Sequence, residues 1–324
     1  MSILVTGAAG FIGHEVCLKL LQQGEHVIGV DNINSYYDVQ LKQDRLQRLQ
    51  HDNFQFHERD ICEHDWLMGL FSDQNIQQVV HLAAQAGVRY SITNPWDYNH
   101  SNLDGFLSIL ECCRAHPVEH LLYASSSSVY GSSGELPSVE SAETNKPMSL
   151  YAATKKANEL MAHAYANLYR IPTTGLRFFT VYGPWGRPDM AFFSFTEKIL
   201  KDEPIEVFNY GKHTRDFTFV DDIIEGILRV LKQAPEAAET TPTRVFNIGN
   251  SQSVELMDYI AALEKALDKK AQLIMKPLQK GDVMDTLADV SALDAAVGFK
   301  PCTPVDVGIA RFVDWYKSYY GATA

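Results

Sequence analysis

Short apolar runs alternate with amphipathic stretches through the first half of the chain. Ile3–Val5, His26–Val30, Phe54–His57, Val79–Leu82 and Leu121–Ala124 are rich in Val, Ile and Leu and predict buried strands. Between them Phe11–Gln23, Val39–Gln50, His64–Ser72 and Trp96–Arg114 predict amphipathic helices. A sixth unit follows, a helix over Leu150–Tyr169 and a strand over Thr173–Phe178. Repeated strand–helix order predicts an α/β fold, with a doubly wound parallel sheet covered on both faces. After Gly183 the pattern becomes irregular. Gly, Pro and aromatic residues cluster from Tyr182 to Phe195, which predicts a binding loop. Phe217–Val220 predicts a further strand that enters a helix with Asp221 as its N-cap. Ala234–Thr243 is small, polar and Pro-containing, an exposed loop.

The first strand runs into Gly7-Ala8-Ala9-Gly10-Phe11-Ile12-Gly13 and then a helix. Glycines let the backbone turn sharply and approach a pyrophosphate, and a helix N-terminus offers oriented N–H donors. The spacing is GxxGxxG, a weak signal alone. It is strengthened by Asp31 at the end of the next strand, 18 residues beyond Gly13. A carboxylate there accepts both ribose hydroxyls of an adenosine and repels a 2′-phosphate, so NAD is expected rather than NADP. The expected architecture is a Rossmann-type lobe, residues 1–178 and 217–248, with a smaller discontinuous C-terminal substrate lobe, 179–216 and 249–324.

Composition narrows the function classes. The chain has 324 residues, 46% hydrophobic and 21% charged, with a formal net charge of −12. Neutralising phosphates requires a basic surface, so a general nucleic-acid binder is excluded, whereas an anionic small ligand is not. No uncharged apolar run reaches the ~20 residues of a membrane span, and the N-terminus shows no signal-peptide pattern. Cys17, Cys62, Cys112, Cys113 and Cys302 form no CxxC pair and no metal-like grouping with His. They predict buried, reduced thiols and a cytoplasmic setting, with no metal.

Tyr151-Ala152-Ala153-Thr154-Lys155 opens the Leu150–Tyr169 helix, placing Tyr151 and Lys155 on one face. An ammonium ~4 Å from a phenol is worth about 4 kcal/mol at an effective dielectric of about 20, or about three pKa units. With a positive nicotinamide ring adding to it, Tyr151 is expected to act as a base near neutral pH. Leu121–Ala124 ends in Ser125-Ser126-Ser127-Ser128, and strand ends of an open parallel sheet are where ligands bind.

These features resemble the extended short-chain dehydrogenase/reductase family over nearly the whole chain. The resemblance implies that Gly7, Gly10, Phe11, Ile12, Gly13, Asp31, Asn32, Asp60, Ile61, Ala83, Ala84 and Asn102 hold NAD, together with Tyr151 and Lys155. It also implies a catalytic Ser126, Tyr151 and Lys155, with Ser126 placed by counting back from Val129-Tyr130-Gly131. Ala84-Gln85-Ala86-Gly87-Val88-Arg89-Tyr90-Ser91 and Tyr182-Gly183-Pro184-Trp185-Gly186-Arg187-Pro188-Asp189-Met190 are similar to the UDP-glucuronate 4-epimerases within it. That likeness implies C4 epimerisation of a UDP-uronate through a 4-keto sugar. Arg89 or Arg187, Ser127, Ser128 and Thr180 would hold the uronate, Arg215 the diphosphate and Asp282 the uridine ribose. Related decarboxylases carry Glu and Asn where this chain has Ser128 and Thr180, and dehydratases carry an Asp-Glu pair where it has Ser127-Ser128. A 4-epimerase of a neutral or N-acetylated UDP-hexose, a decarboxylase and a non-catalytic NAD sensor remain alternatives. Trp185 reads as packing. Apolar residues on more than one face of two helices (Leu103, Phe106, Leu107, Leu110; Leu160, Met161) point to a homodimer.

Overall fold

The computed structural model describes residues 1–131, 135–236, 240–279 and 283–321. Six strands appear where the apolar runs lie: β1 (Ser2–Thr6), β2 (His26–Asp31), β3 (Phe54–Glu58), β4 (Gln78–His81), β5 (His120–Ser126) and β6 (Thr173–Phe178). Six shorter or later ones follow: β7 (Thr180–Tyr182), β8 (Ile205–Val207), β9 (Thr214–Phe219), β10 (Thr243–Ile248), β11 (Ser253–Glu255) and β12 (Leu273–Met275). The main sheet is wholly parallel, in the order β10-β6-β5-β4-β1-β2-β3. The order reverses between β1 and β4, which opens a crevice above the C-terminal strand ends. Strands of a parallel sheet covered on both faces are buried along their whole length, as β4 and β6 are, and their few polar side chains, such as His81 and Arg177, are hydrogen-bonded.

The helices over Leu150–Tyr169 and His64–Asp73 lie where periodicity places them. The stretch after Asn94 does not form one regular helix. Pro95–Tyr98 is α-helical, Asn99–Asp104 forms a π turn, and the α-helix resumes over Gly105–Ala115. Such widened turns accompany side chains that must be aimed inward, and here the inward residue is Asn102. Asp221 is not an N-cap: the cap position is Phe219, and Asp221 sits in the first turn of Val220–Leu231.

A second, three-stranded sheet in the order β11-β9-β7 stands beside the crevice, with β8 and β12 as a separate pair. The strand read at Phe217–Val220 therefore begins earlier, at Thr214, and belongs to this small sheet rather than the large one. Likewise the Tyr182–Phe195 segment is not all loop, since a helix runs over Ala191–Leu200. Buried Asp216 on β9 ties the small sheet to the following segments, accepting the amides of Asn250 (2.6 Å), Ser251 (3.0 Å) and Ala288 (3.0 Å). Cys302 is exposed and Cys62 only half-buried, contrary to the expectation of five buried thiols, and all five cysteines are free. Among the described residues no helix is long and apolar enough to cross a membrane.

One polar network lies beneath the strand ends. Glu159 takes the Arg177 guanidinium on both oxygens, at 2.8 and 2.9 Å, and the Ser125 hydroxyl at 2.7 Å. Arg177 also donates to Tyr130 Oη (2.9 Å), which donates to Asn247 (2.6 Å). Burial alone would raise the Glu159 carboxyl, but the Arg177 guanidinium outweighs it and holds it below 4.5. Removing one member of a buried pair strands the other charge, so Glu159→Ala should lower unfolding stability by about 3–5 kcal/mol. Because the folded value is depressed, that contribution is complete above about pH 4.5 and fades as pH falls through the folded value. Denaturant unfolding of the two proteins at pH 7 and in acid should show the gap narrowing.

Candidate active site

A cleft of about 1310 Å³ runs across the strand ends. At one end β1 delivers the glycine loop. Gly7 has φ +71°, and a Cβ there would meet the Ala83 amide at 2.9 Å. A Cβ on Gly13 would come within 2.0 Å of the Gly7 carbonyl oxygen. The loop and helix therefore close together only without side chains, leaving space that a pyrophosphate can fill. Gly10 caps the helix over Phe11–Gln22 with no side-chain acceptor for its first amides, so these donors remain for an anion.

Asp31 ends β2 and accepts the amides of Ala9 (3.1 Å) and Ile33 (2.9 Å), which hold it against the loop. Burial raises its carboxyl; Lys42 pulls in the opposite direction. Asn32 donates to Asp60 at 2.9 Å, and Asp60, Ile61, Ala83 and Ala84 line the same end. Buried Thr6 accepts the Leu82 and Ala83 amides at 3.2 and 3.1 Å and hydrogen-bonds His81 at 2.8 Å, fixing the small residues after β4. The donor set and the glycine cradle fit NAD.

Asn102 is placed differently from expectation. It does not line the cleft. Its amide is satisfied internally, by both backbone groups of Gln85 (2.8 and 3.1 Å) and by Thr154 (3.0 Å). The π turn thus ties the loop after β4 to the tyrosine helix, and Asn102 acts on the cleft through Gln85. A further grouping escaped the sequence: ligand atoms of Asp60, Cys62 and His100 lie within 4.8 Å of one another. Burial pushes the Cys62 thiol up to about 12, so it stays protonated.

Ser126, Tyr151 and Lys155 come together at the centre. Ser126 caps the short turn Ser127–Tyr130, accepting the Ser128 amide at 3.2 Å and donating to the Ser128 hydroxyl at 3.1 Å. Ser149 caps the tyrosine helix, accepting the Ala152 amide at 3.1 Å. Lys155 donates to the Ala124 carbonyl at 2.9 Å, and burial lowers its ammonium to about 8. The expected depression of Tyr151 by Lys155 is not found. Burial raises the phenol, and the groups that oppose it are the Ser126 hydroxyl and the Arg187 charge.

The far end is built by the small sheet and two loops. Arg89, Ser127, Ser128, Thr180, Arg187 and Arg215 all line it. Asp282 lies outside the described residues. Arg187 is paired with Asp189 through Nε (3.0 Å) and Nη2, and Tyr36 donates to the same carboxylate at 3.1 Å. Arg89 lies over the Phe208 ring at 5.2 Å, with no described carboxylate within ion-pair distance. Arg215 donates to the carbonyls of Thr214 (3.0 Å) and Met284 (2.5 Å). Trp185 packs, as read, against Trp315 and Tyr319.

Sequence reasoning missed Tyr36, Lys42, Arg45 and Tyr98. Lys42 bridges the backbone and side-chain oxygens of Asn34 (2.7 and 2.8 Å). Tyr98 donates to the Ala86 carbonyl at 2.9 Å and sets its ring edgewise to Tyr151. A signal for Arg45 existed. Leu41, Arg45 and Leu49 form an i, i+4, i+8 stripe, which places a cation on the buried face.

Comparison with known proteins agrees with this geometry. Residues 3–249 match the NAD dependent epimerase/dehydratase family. A probable UDP-glucuronate 4-epimerase of Rhizobium meliloti is 45% identical, over 99% of this chain and 98% of its own. UDP-glucuronate 4-epimerase 2 of Arabidopsis thaliana is 46% identical, over 99% of this chain and 76% of its own. The crystal structure of UDP-glucuronic acid 4-epimerase from Bacillus cereus, in complex with UDP-glucuronic acid and NAD, superposes with a TM-score of 0.91 at 35% identity. It covers 99% of this chain and 100% of that one. The chain belongs to the NAD dependent epimerase/dehydratase family.

Proposed function

We propose that this enzyme inverts C4 of UDP-glucuronate to give UDP-galacturonate, through a transient 4-keto sugar. The observation that carries the reading is one cleft in which Ser126, Tyr151 and Lys155 stand between a glycine cradle and a far end of arginines and neutral hydroxyls. NAD held along Gly7–Gly13 supplies a reversible hydride acceptor and a positive ring. Tyr151, as the phenolate that the cofactor's positive ring would favour, takes the proton of the C4 hydroxyl and returns it after the sugar has turned. Ser126 holds the same oxygen and shares the proton. Lys155, anchored on Ala124, carries a positive charge one helical turn after Tyr151 up to about pH 8.

Arg215 holds the diphosphate, because a doubly charged group needs a fixed donor while the sugar must stay free to rotate. Arg187 answers the uronate charge, with Ser127, Ser128 and Thr180 as neutral donors. A 4-keto uronate is a β-keto acid that loses CO₂ when its carboxylate bond aligns with the carbonyl π system. Hydroxyls hold the carboxylate out of that alignment without supplying an acid. The lobes divide the labour: 1–178 and 217–248 carry the cofactor, 179–216 and 249–324 the nucleotide sugar, with β9 crossing the junction.

Five free thiols suit a reducing cytoplasm. Leu107, Leu160 and Leu168 remain exposed on the helices over Gly105–Ala115 and Leu150–Tyr169, the face through which two copies would pair. Light scattering should return a dimer mass, and a monomer would end that assignment.

Purified protein given UDP-glucuronate without added NAD should yield the axial C4 epimer by NMR; no inversion even with NAD supplied would refute the reading. Tyr151→Phe should slow turnover by about 10²–10⁴-fold with NAD binding intact. Arg187→Ala removes a charge-assisted contact worth about 1.5–3 kcal/mol. Its kcat/KM for UDP-glucuronate should fall about 10- to 150-fold by that figure. A variant equally active on the acidic sugar would transfer the role elsewhere.

A further inference from the structure

Among the described residues Arg45 is the largest side chain with no exposure to solvent. No described carboxylate lies within ion-pair distance of it, and its Nε has no hydrogen-bond partner. A guanidinium in that position is costly to bury unless its remaining donors are well used. Three of its four contacts point to two loops, and the fourth goes to Tyr37. Nη1 donates to the Ala9 carbonyl (3.0 Å), inside the glycine loop, and to Tyr37 Oη (2.6 Å). Nη2 donates to the carbonyls of Trp185 (2.6 Å) and Gly186 (3.1 Å), the two residues before Arg187.

Trp185 adopts φ +61°, a left-handed conformation that ordinary side chains avoid. Its ring is clamped by Trp315 and Tyr319 at 5.3 and 5.1 Å and by the Arg48 guanidinium at 4.8 Å. This conformation brings two successive carbonyls to one guanidinium. An apolar residue at 45 could fill the volume but could not bind both loops, and a lysine has one nitrogen for the work of two.

We propose that Arg45 is a positioning residue that ties the Arg187 loop to the cofactor's phosphate loop and thereby sets the preference for an acidic sugar. The inference rests on the function proposed above, with Arg187 facing the uronate. Arg45 touches neither substrate nor cofactor in it. Its effect reaches the sugar through the backbone of Trp185 and Gly186, and it makes the placement of Arg187 dependent on a settled glycine loop.

The test uses NAD-loaded full-length protein and calorimetric binding of UDP-glucuronate, UDP-glucose and UDP. Arg45→Met risks misfolding, so Arg45→Lys is the primary variant, with melting temperature followed in parallel. The expected result is that Arg45→Lys binds NAD and UDP within about threefold of wild type. Its affinity ratio for UDP-glucuronate over UDP-glucose should fall about tenfold or more, the scale of one charge-assisted contact. Arg45→Lys on an Arg187→Ala background should change the ratio little, because the two residues act in series. A lower melting temperature with the wild-type ratio retained, or full additivity with Arg187→Ala, would overturn the inference and leave Arg45 as a stabilising residue. Wild-type protein that does not prefer the acidic sugar overturns the functional reading, and this inference with it.

Discussion

The bidentate pair between Glu159 and Arg177 fixes the geometry on which the site depends. Glu159 lies two turns beyond Tyr151 and one beyond Lys155, so all three sit on the helix face turned toward the sheet. Arg177 is on β6, and Ser125 on β5 donates to the same carboxylate. A helix can slide or roll against a sheet when only apolar side chains meet, because dispersion contacts are numerous but weakly directional. Two parallel hydrogen bonds between ions do not permit that freedom. Ser126, next along the strand, inherits its distance to Tyr151 from this lock.

Charge within the cleft is arranged without a matching anion at its centre. Lys155 rests on a carbonyl, and its burial lowers the cost of losing its proton. Burial raises the Tyr151 phenol, and the Ser126 hydroxyl and the Arg187 charge oppose it. Its acidity therefore belongs to the assembled complex rather than to the tyrosine–lysine spacing.

Much of this was legible in the sequence. The helix over Leu150–Tyr169 and the strand over Thr173–Phe178 have the bounds that periodicity gives, because both are long and flanked by clear caps or turns. The glycine loop, Asp31, Tyr151 and Lys155 stand out in the sequence because their chemistry requires those residue types at fixed local spacing, whereas Ser126 is singled out from the run Ser125–Ser128 only by the family resemblance; all of them line one cleft. The small sheet could not. β7 and β11 have three residues each, too few to show a period, and they pair across the chain. The π turn at Asn99–Asp104 keeps helical periodicity on either side and leaves no pattern of its own. Arg45 escaped because cations default to the surface: the Leu41, Arg45, Leu49 stripe marks the buried face, but three of the four acceptors that make a cation tolerable there lie 36 to 141 residues away. For Tyr151 the sequence could not weigh burial, which raises the phenol and is invisible in one dimension.

The small sheet also acts as a ruler. Thr180 on β7 is in register with Phe217 on β9, and Arg215 lies two residues earlier on that strand. Side chains two apart share a face, and Thr180, Phe217 and Arg215 do all open onto the cleft. One strand spacing across and two residues along place the Thr180 and Arg215 backbones about 8 Å apart. Backbone hydrogen bonds hold that interval, so no side-chain adjustment in the large sheet can stretch it. A ligand that engages both residues must carry its two recognised groups at a matching separation, whatever the rest of its chemistry.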